Sequence, residues 1–142
     1  MPASVKSGSR RPSRLARLRS EPERGSAATE LVLATPLLLL LVLAVVQFAL
    51  YYHGAQVAQA AASQAVAVAR AQGATSTTGQ AEGQAILDHI AGGTLPQRSI
   101  TVTRSAADAH ADVSGTVQSL IPGLRLHVSA HAAAPVEAWT KN

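Results

Sequence analysis

The chain has 142 residues, no cysteine and a formal net charge of +4, which allows one small domain at most and excludes disulfides, thiolate metal sites and cysteine nucleophiles. The charge is uneven: Lys6, Arg10, Arg11, Arg14, Arg17, Arg19 and Arg24 precede Gly25, against Glu21 and Glu23 alone. No basic patch with interleaved aromatics follows, so nucleic acid is not an expected partner.

Residues 1–25 read as a basic leader, expected to be disordered and cytoplasmic. Leu31 to Tyr52 is then a run of 22 residues without a charge. As a helix it is about 33 Å long, enough to cross a hydrocarbon core of about 30 Å. A core helix in so small a protein would not be apolar on every face. Tyr51 and Tyr52 stand where amphipathic rings meet a membrane interface. The next Lys or Arg beyond the run is Arg70. The positive-inside rule therefore predicts a single-pass protein of the cytoplasmic membrane, with its N-terminus cytoplasmic and its C-terminal part extracytoplasmic. A secretory signal cleaved near Ala58-Gln59-Ala60 would need a shorter apolar region. A twin-arginine signal at Ser9-Arg10-Arg11 would need a less apolar one.

The junction Arg24-Gly25-Ser26-Ala27-Ala28-Thr29-Glu30-Leu31 places one carboxylate at the edge of the apolar run. Glu30 in the first helical turn suits the helix dipole, and Ser26 or Thr29 suits a cap. Pro36 lacks an N–H and leaves the Val32 carbonyl without its helical donor. The sequence predicts one long helix over 26–71, with the span at 31–52, an extension over 53–71 and a kink near Pro36. In the extension, Val57, Ala61, Ala65 and Val68 recur at helical spacing and form a small-residue packing stripe, for the chain's own domain or for a neighbouring subunit.

Residues 72–142 are expected to form a small α+β domain. Gln72 to Gly79 reads as a loop, and Gln80 to Ala91 as a short helix with Ala81, Ala85, Ile86, Leu87 and Ile90 inward, ended by Gly92-Gly93. Three runs then alternate at period two. Ile100 and Val102 share one face, as do Ala111, Val113, Gly115 and Val117, and then Leu124, Leu126, Val128, Ala130 and Ala132. With Ile121-Pro122-Gly123 as the last turn, they predict a three-stranded antiparallel sheet, packed on the helices by one face.

Little points to catalysis. There is no G-x-S-x-G elbow, no phosphate-cradling glycine loop and no H-E-x-x-H, so no enzyme, small-molecule substrate or cofactor is expected. His110, His127 and His131, with Asp108 and Asp112, fall on the polar side of the strands. Without dense ligand spacing they read as solvated positions rather than a metal site.

Gly25 with Glu30 five positions on, opening an apolar helix behind a basic leader, resembles the type IV prepilin processing pattern. That resemblance implies cleavage by a prepilin peptidase between Gly25 and Ser26, and a role in assembly for Glu30 beside the new amino terminus. Arg24-Gly25, Ala28, Glu30, Pro36, the leucine run and Gln47-Phe48 further resemble the TadE-like family, pseudopilin-like proteins of the tight-adherence pilus machinery. Two departures stand out: Leu31-Val32-Leu33 replaces the usual aromatic and Ala, and Gln47 stands where the family has an acidic residue. The resemblance implies a pilin-like α+β fold. It also implies partners among lipid, other pilins or pseudopilins and pilus-assembly proteins, with incorporation in a surface pilus open. The residues are compatible with a processed and an unprocessed form.

Two other readings remain at this level. One is a signal-anchored extracytoplasmic binding or structural domain unrelated to pili, indifferent to Glu30. The other is a secreted protein released near Ala60. Intact mass separates them, because cleavage after Gly25 leaves Ser26 first.

Overall fold

The computed structural model describes residues 22–138, and the basic leader expected over residues 1–25 lies outside the described residues up to residue 21. The architecture is α+β, with element order α1 (Pro22–Ala69), α2 (Ser76–Ile90), β1 (Gln97–Arg104), β2 (Asp108–Val117) and β3 (Leu126–Pro135). Contacts divide the chain after Leu41, so that the described residues from Val42 onward form a compact unit of their own.

Helix α1 begins earlier than expected. It already takes in Pro22 to Gly25, ahead of the expected start at residue 26. From Gly25 to Leu41 its side chains are exposed, Leu31 and Leu41 at 68% and 60% among them. Pro36 lies inside the helix. Two hydroxyls in this stretch turn back on the backbone: Thr29 Oγ1 donates to Gly25 O at 2.9 Å and Thr35 Oγ1 to Leu31 O at 2.8 Å. Such i−4 bonds hide a polar group that lipid could not solvate.

In the compact unit, α1 buries Val57, Ala58, Ala61, Ala62, Ala65, Val66 and Ala69. No side chain in that seam exceeds valine, so sheet and helix approach closely. The fit is tight at Gly54, where a Cβ would stand 3.1 Å from Val117 Cγ2 and 3.2 Å from Leu95 Cδ2. The opposite side carries Gln56, Gln59, Ala60, Ser63, Gln64 and Ala67, all exposed. No Asp, Glu, Lys or Arg occurs between Leu31 and Ala69. The helix ends at Ala69 rather than Ala71, its last turn tightening as Ala71 N donates to Val68 O at 3.2 Å.

Helix α2 corrects the loop expected over 72–79 and the inward face expected for this helix. Thr75 is an N-cap whose side chain accepts from Thr78 N, while Thr78 Oγ1 accepts from Thr75 N at 2.9 Å. This reciprocal box starts the helix at Ser76 within a stretch whose composition suggests a loop. The buried positions are Gly79, Gly83 and Leu87. Ala81 and Ala85 face solvent, Ile90 is 52% exposed, and Ile86 is only partly buried. The cause is the approach to α1: a Cβ on Gly79 would lie 2.6 Å from Ala65 O and 2.7 Å from Ala69 Cβ. Glycine at four-residue spacing lets two helix backbones touch where alanine would hold them apart.

The sheet has the order β1-β2-β3, antiparallel throughout. Ile100 pairs Val113, which pairs Ala130, and Val102 pairs Ala111, which pairs Ala132. One row of each strand thus enters the core, where Ile100, Val102, Ala109, Ala111, Val113, Val117 and Val128 are buried. The expected alternation holds, although Leu124 lies before β3 rather than in it. Beyond β3, Glu137 N donates to Arg70 O at 3.0 Å, fastening the tail to the end of α1.

Arg98, half-buried on β1, reaches Asp88 on α2 at 2.7 Å. The hydrogen bond from Arg98, then that from Gln84, holds the Asp88 carboxyl below the usual carboxylate range. The pair therefore favours the fold at neutral pH and loses its effect as pH falls through that depressed value. In a carboxyl-detected NMR titration, Arg98→Gln should move the Asp88 midpoint upward toward that of an ordinary aspartate.

Candidate assembly and anchoring surface

The residues singled out from the sequence fall into two groups. Gly25, Ser26, Glu30 and Pro36 lie on the exposed first half of α1. Ser26 and Glu30 are four apart and so share a helical face. Gly25 is within the helix, and a Cβ there would meet nothing within 4 Å.

The second group sits in the compact unit. Val57, Ala61 and Ala65 are buried in its core, and Val68 is half-buried at the margin. Ala58, Ala62, Val66 and Ala69 complete the seam. These side chains pack against the chain's own α2 and sheet, so the face of α1 left for a neighbour is the glutamine-, alanine- and serine-lined one.

Among the described residues, most of the exposed large apolar side chains lie in one belt, Leu31 to Tyr52. Among the described residues, Gly25–Ala69 is the one helix long and apolar enough to cross a membrane, with a mean hydropathy of 2.7 over its most apolar 18-residue window. Only 6% of that window is buried. A soluble protein's core helix would be mostly covered, so the belt needs lipid or a partner around it.

One polar residue in this belt is buried: Gln47, 3% exposed. Its Oε1 accepts from Leu120 N at 2.8 Å, and its Nε2 donates to Gln118 O at 3.3 Å. A single amide thereby satisfies an N–H and a C=O of the β2–β3 connection. Sequence reasoning noted Gln47 only as a departure from an acidic position and missed this tie. The one signal it offered was a lone amide in an apolar run, where an unpaired polar group is costly. The glycines of α2 were missed as well.

The outer face of the sheet gathers polar side chains in register. His131 Nδ1 lies 2.8 Å from Asp112 Oδ1, His110 and His131 stack with centroids 5.9 Å apart, and His127 Nε2 lies 3.2 Å from Thr116 Oγ1. Among the described residues, no group of three or more His, Cys, Asp or Glu is placed to hold a metal ion. Asp108 lies at the start of β2 beside the turn, where its backbone O accepts from Ser105 N at 2.8 Å. The face is solvated and polar, with cross-strand pairs that support the sheet.

No curated protein and no solved structure matches the chain. Residues 25–67 match the family model described as TadE-like protein. The matched stretch opens at the Gly25–Glu30 junction, takes in Pro36 and the whole apolar run, and ends within the docked seam of α1. Over that stretch of its long helix, the chain is similar to the TadE-like family.

Proposed function

We propose that the protein is a pseudopilin or minor component of a tight-adherence (Flp-type) pilus assembly or secretion system, working by helix packing and subunit assembly rather than by catalysis. The observation that carries this reading is the TadE-like match, which coincides with a helix exposed and apolar at one end and docked in a small α+β unit at the other. The pilus association comes from the family. The seven basic residues ahead of the span favour a cytoplasmic N-terminus and an extracytoplasmic domain.

In this reading, a prepilin peptidase cuts between Gly25 and Ser26. The new ammonium group then meets the Glu30 carboxylate of a neighbouring subunit. In a low-dielectric layer such a pair is strongly attractive, and each charge is costly without the other. Pro36 leaves the Val32 carbonyl open, and a neighbouring helix is one source of a donor.

Glu30→Ala is the direct test, in cells whose own copy is deleted. The variant should insert in the membrane at wild-type levels, while pilus yield falls to about a tenth or less, because breaking a buried pair costs about 3 kcal/mol or more. Electron microscopy of surface filaments, with a membrane-fraction immunoblot, reads both. Equal pilus output from the variant, or from the deletion strain, would favour a signal-anchored domain unrelated to pili.

A further inference from the structure

We infer that the β2–β3 connection, residues 118–124, is a membrane-immersed loop whose apolar tip contacts lipid in the interfacial layer. The inference rests on the membrane-anchor reading of α1 and adds a second, non-helical point of contact.

The level of the loop comes from Gln47. Counted from Leu31, where the uncharged run begins, about 20 helical residues are needed to cover a hydrocarbon core of about 30 Å, which carries the crossing to Leu50. Gln47 lies three residues short of that end, about 5 Å along the helix axis. Its amide is bonded to Leu120 N and Gln118 O. The backbone of the loop therefore sits at the depth of Gln47, at the boundary between acyl chains and headgroups.

The chemistry of the loop suits that depth. Leu120 is 44% exposed, Pro122 is exposed, and Ile121 and Leu124 are half-buried. Ile121 and Leu124 line an apolar hollow of 320 Å³ together with Ala44, Phe48 and Tyr51. Phe48, on the same side, is 69% exposed. Water gains nothing from such a surface, whereas acyl chains cover it and fill the hollow.

Non-helical backbone survives at membrane depth only if its polar groups are paired. Here several of them are paired. Gln118 N donates to Thr94 O at 2.9 Å, Ile121 N to Ser119 Oγ at 3.2 Å, and Leu124 N to Ile121 O at 3.2 Å. Ser119 Oγ donates to Ile121 O at 2.8 Å, and Pro122 has no N–H to satisfy. Arg125 follows directly and is exposed, with an apolar stem long enough to carry its guanidinium up to lipid phosphates.

Because the chain has no cysteine, single cysteines can carry an environment-sensitive fluorophore in the full-length protein reconstituted into phosphatidylcholine–phosphatidylglycerol vesicles. Leu120→Cys and Pro122→Cys probe the loop, Leu38→Cys the span, and Ala106→Cys the β1–β2 turn. Lipids with a nitroxide high on the acyl chain should quench the Leu120, Pro122 and Leu38 labels at least about threefold more than the Ala106 label. If the Leu38 label is quenched while both loop labels respond to aqueous iodide as the Ala106 label does, the loop is in water and the inference is overturned. Loop labels shielded from both quenchers mean a protein covers the loop, which also overturns it. An unquenched Leu38 label removes the anchor reading itself.

Discussion

Gln47→Leu is expected to detach the β2–β3 connection from α1 and lower the stability of the compact unit by about 2–4 kcal/mol, since it leaves the Leu120 N–H and the Gln118 C=O without partners and each costs about 1–3 kcal/mol. For a unit of this size, that corresponds to a drop of roughly 10–20 °C in the unfolding midpoint. Leucine matches the volume and improves the hydropathy of the run, so a model based on hydrophobicity alone predicts the opposite sign. Gln47→Glu separates the two halves of the tie. An ionised carboxylate still accepts from Leu120 N but has nothing to donate to Gln118 O. Thermal unfolding followed by circular dichroism in detergent gives the stability change. Limited trypsinolysis gives its location, because Arg125 adjoins the loop and should be cut faster once the tie is gone. An unchanged midpoint with unchanged cutting in Gln47→Leu would mean that solvent, not Gln47, satisfies the loop.

The second large effect belongs to α2. Gly79→Ala brings a methyl group to 2.6 Å from the Ala65 carbonyl oxygen and 2.7 Å from Ala69 Cβ. Both obstacles belong to or adjoin the backbone of α1 and cannot rotate away. Overpacking of this kind costs about 1–3 kcal/mol, against a gain of about 1 kcal/mol in helix propensity. The net expectation is a loss of up to about 2 kcal/mol, growing with side-chain size, so Gly79→Val should be worse. At Gly83 the nearest atom is Ile100 Cδ1, the movable end of a flexible chain, with Ala65 Cβ at 3.0 Å. Gly83→Ala should therefore cost less than Gly79→Ala. Gly93→Ala serves as the neutral comparison, since a Cβ there meets only Gln118 Oε1 at 3.5 Å. Chemical denaturation of the four variants tests the order, and equal midpoints for Gly79→Ala and Gly93→Ala would refute close contact between the helices.

Much of this fold was legible in the sequence because its signals are periodic. The uncharged run from Leu31 to Tyr52 announces a long helix by length alone. The alternation in 100–103, 110–117 and 124–132 announces three strands, and pairing such as Ile100 with Val113 follows the inward rows. What escaped has no hydropathy signature. Gly79 and Gly83 are buried because they lack side chains, and a pattern of apolar residues cannot report an absence. It selected Ala81, Ala85 and Ile90 instead, on the wrong side of the helix. The Thr75–Thr78 box lay in a Ser/Thr-rich stretch that composition assigns to a loop, although the same hydroxyls are what start the helix. Gln47 was out of reach for another reason: its partners are 71 and 73 residues away, and nothing local to an amide says which distant backbone it will meet. The stripe at Val57, Ala61 and Ala65 was visible, but whether it faced the chain's own sheet or another molecule depended on three-dimensional packing.

The exposed side of α1 in the compact unit, from Gln56 to Ala67, presents amides, hydroxyls and methyl groups with no formal charge. Association along such a face is governed by shape and short-range dispersion, with nothing for counterions to screen. Bundles formed there would hold equally well in dilute and in concentrated salt, and would yield instead to detergents or to bulky residues that spoil the fit.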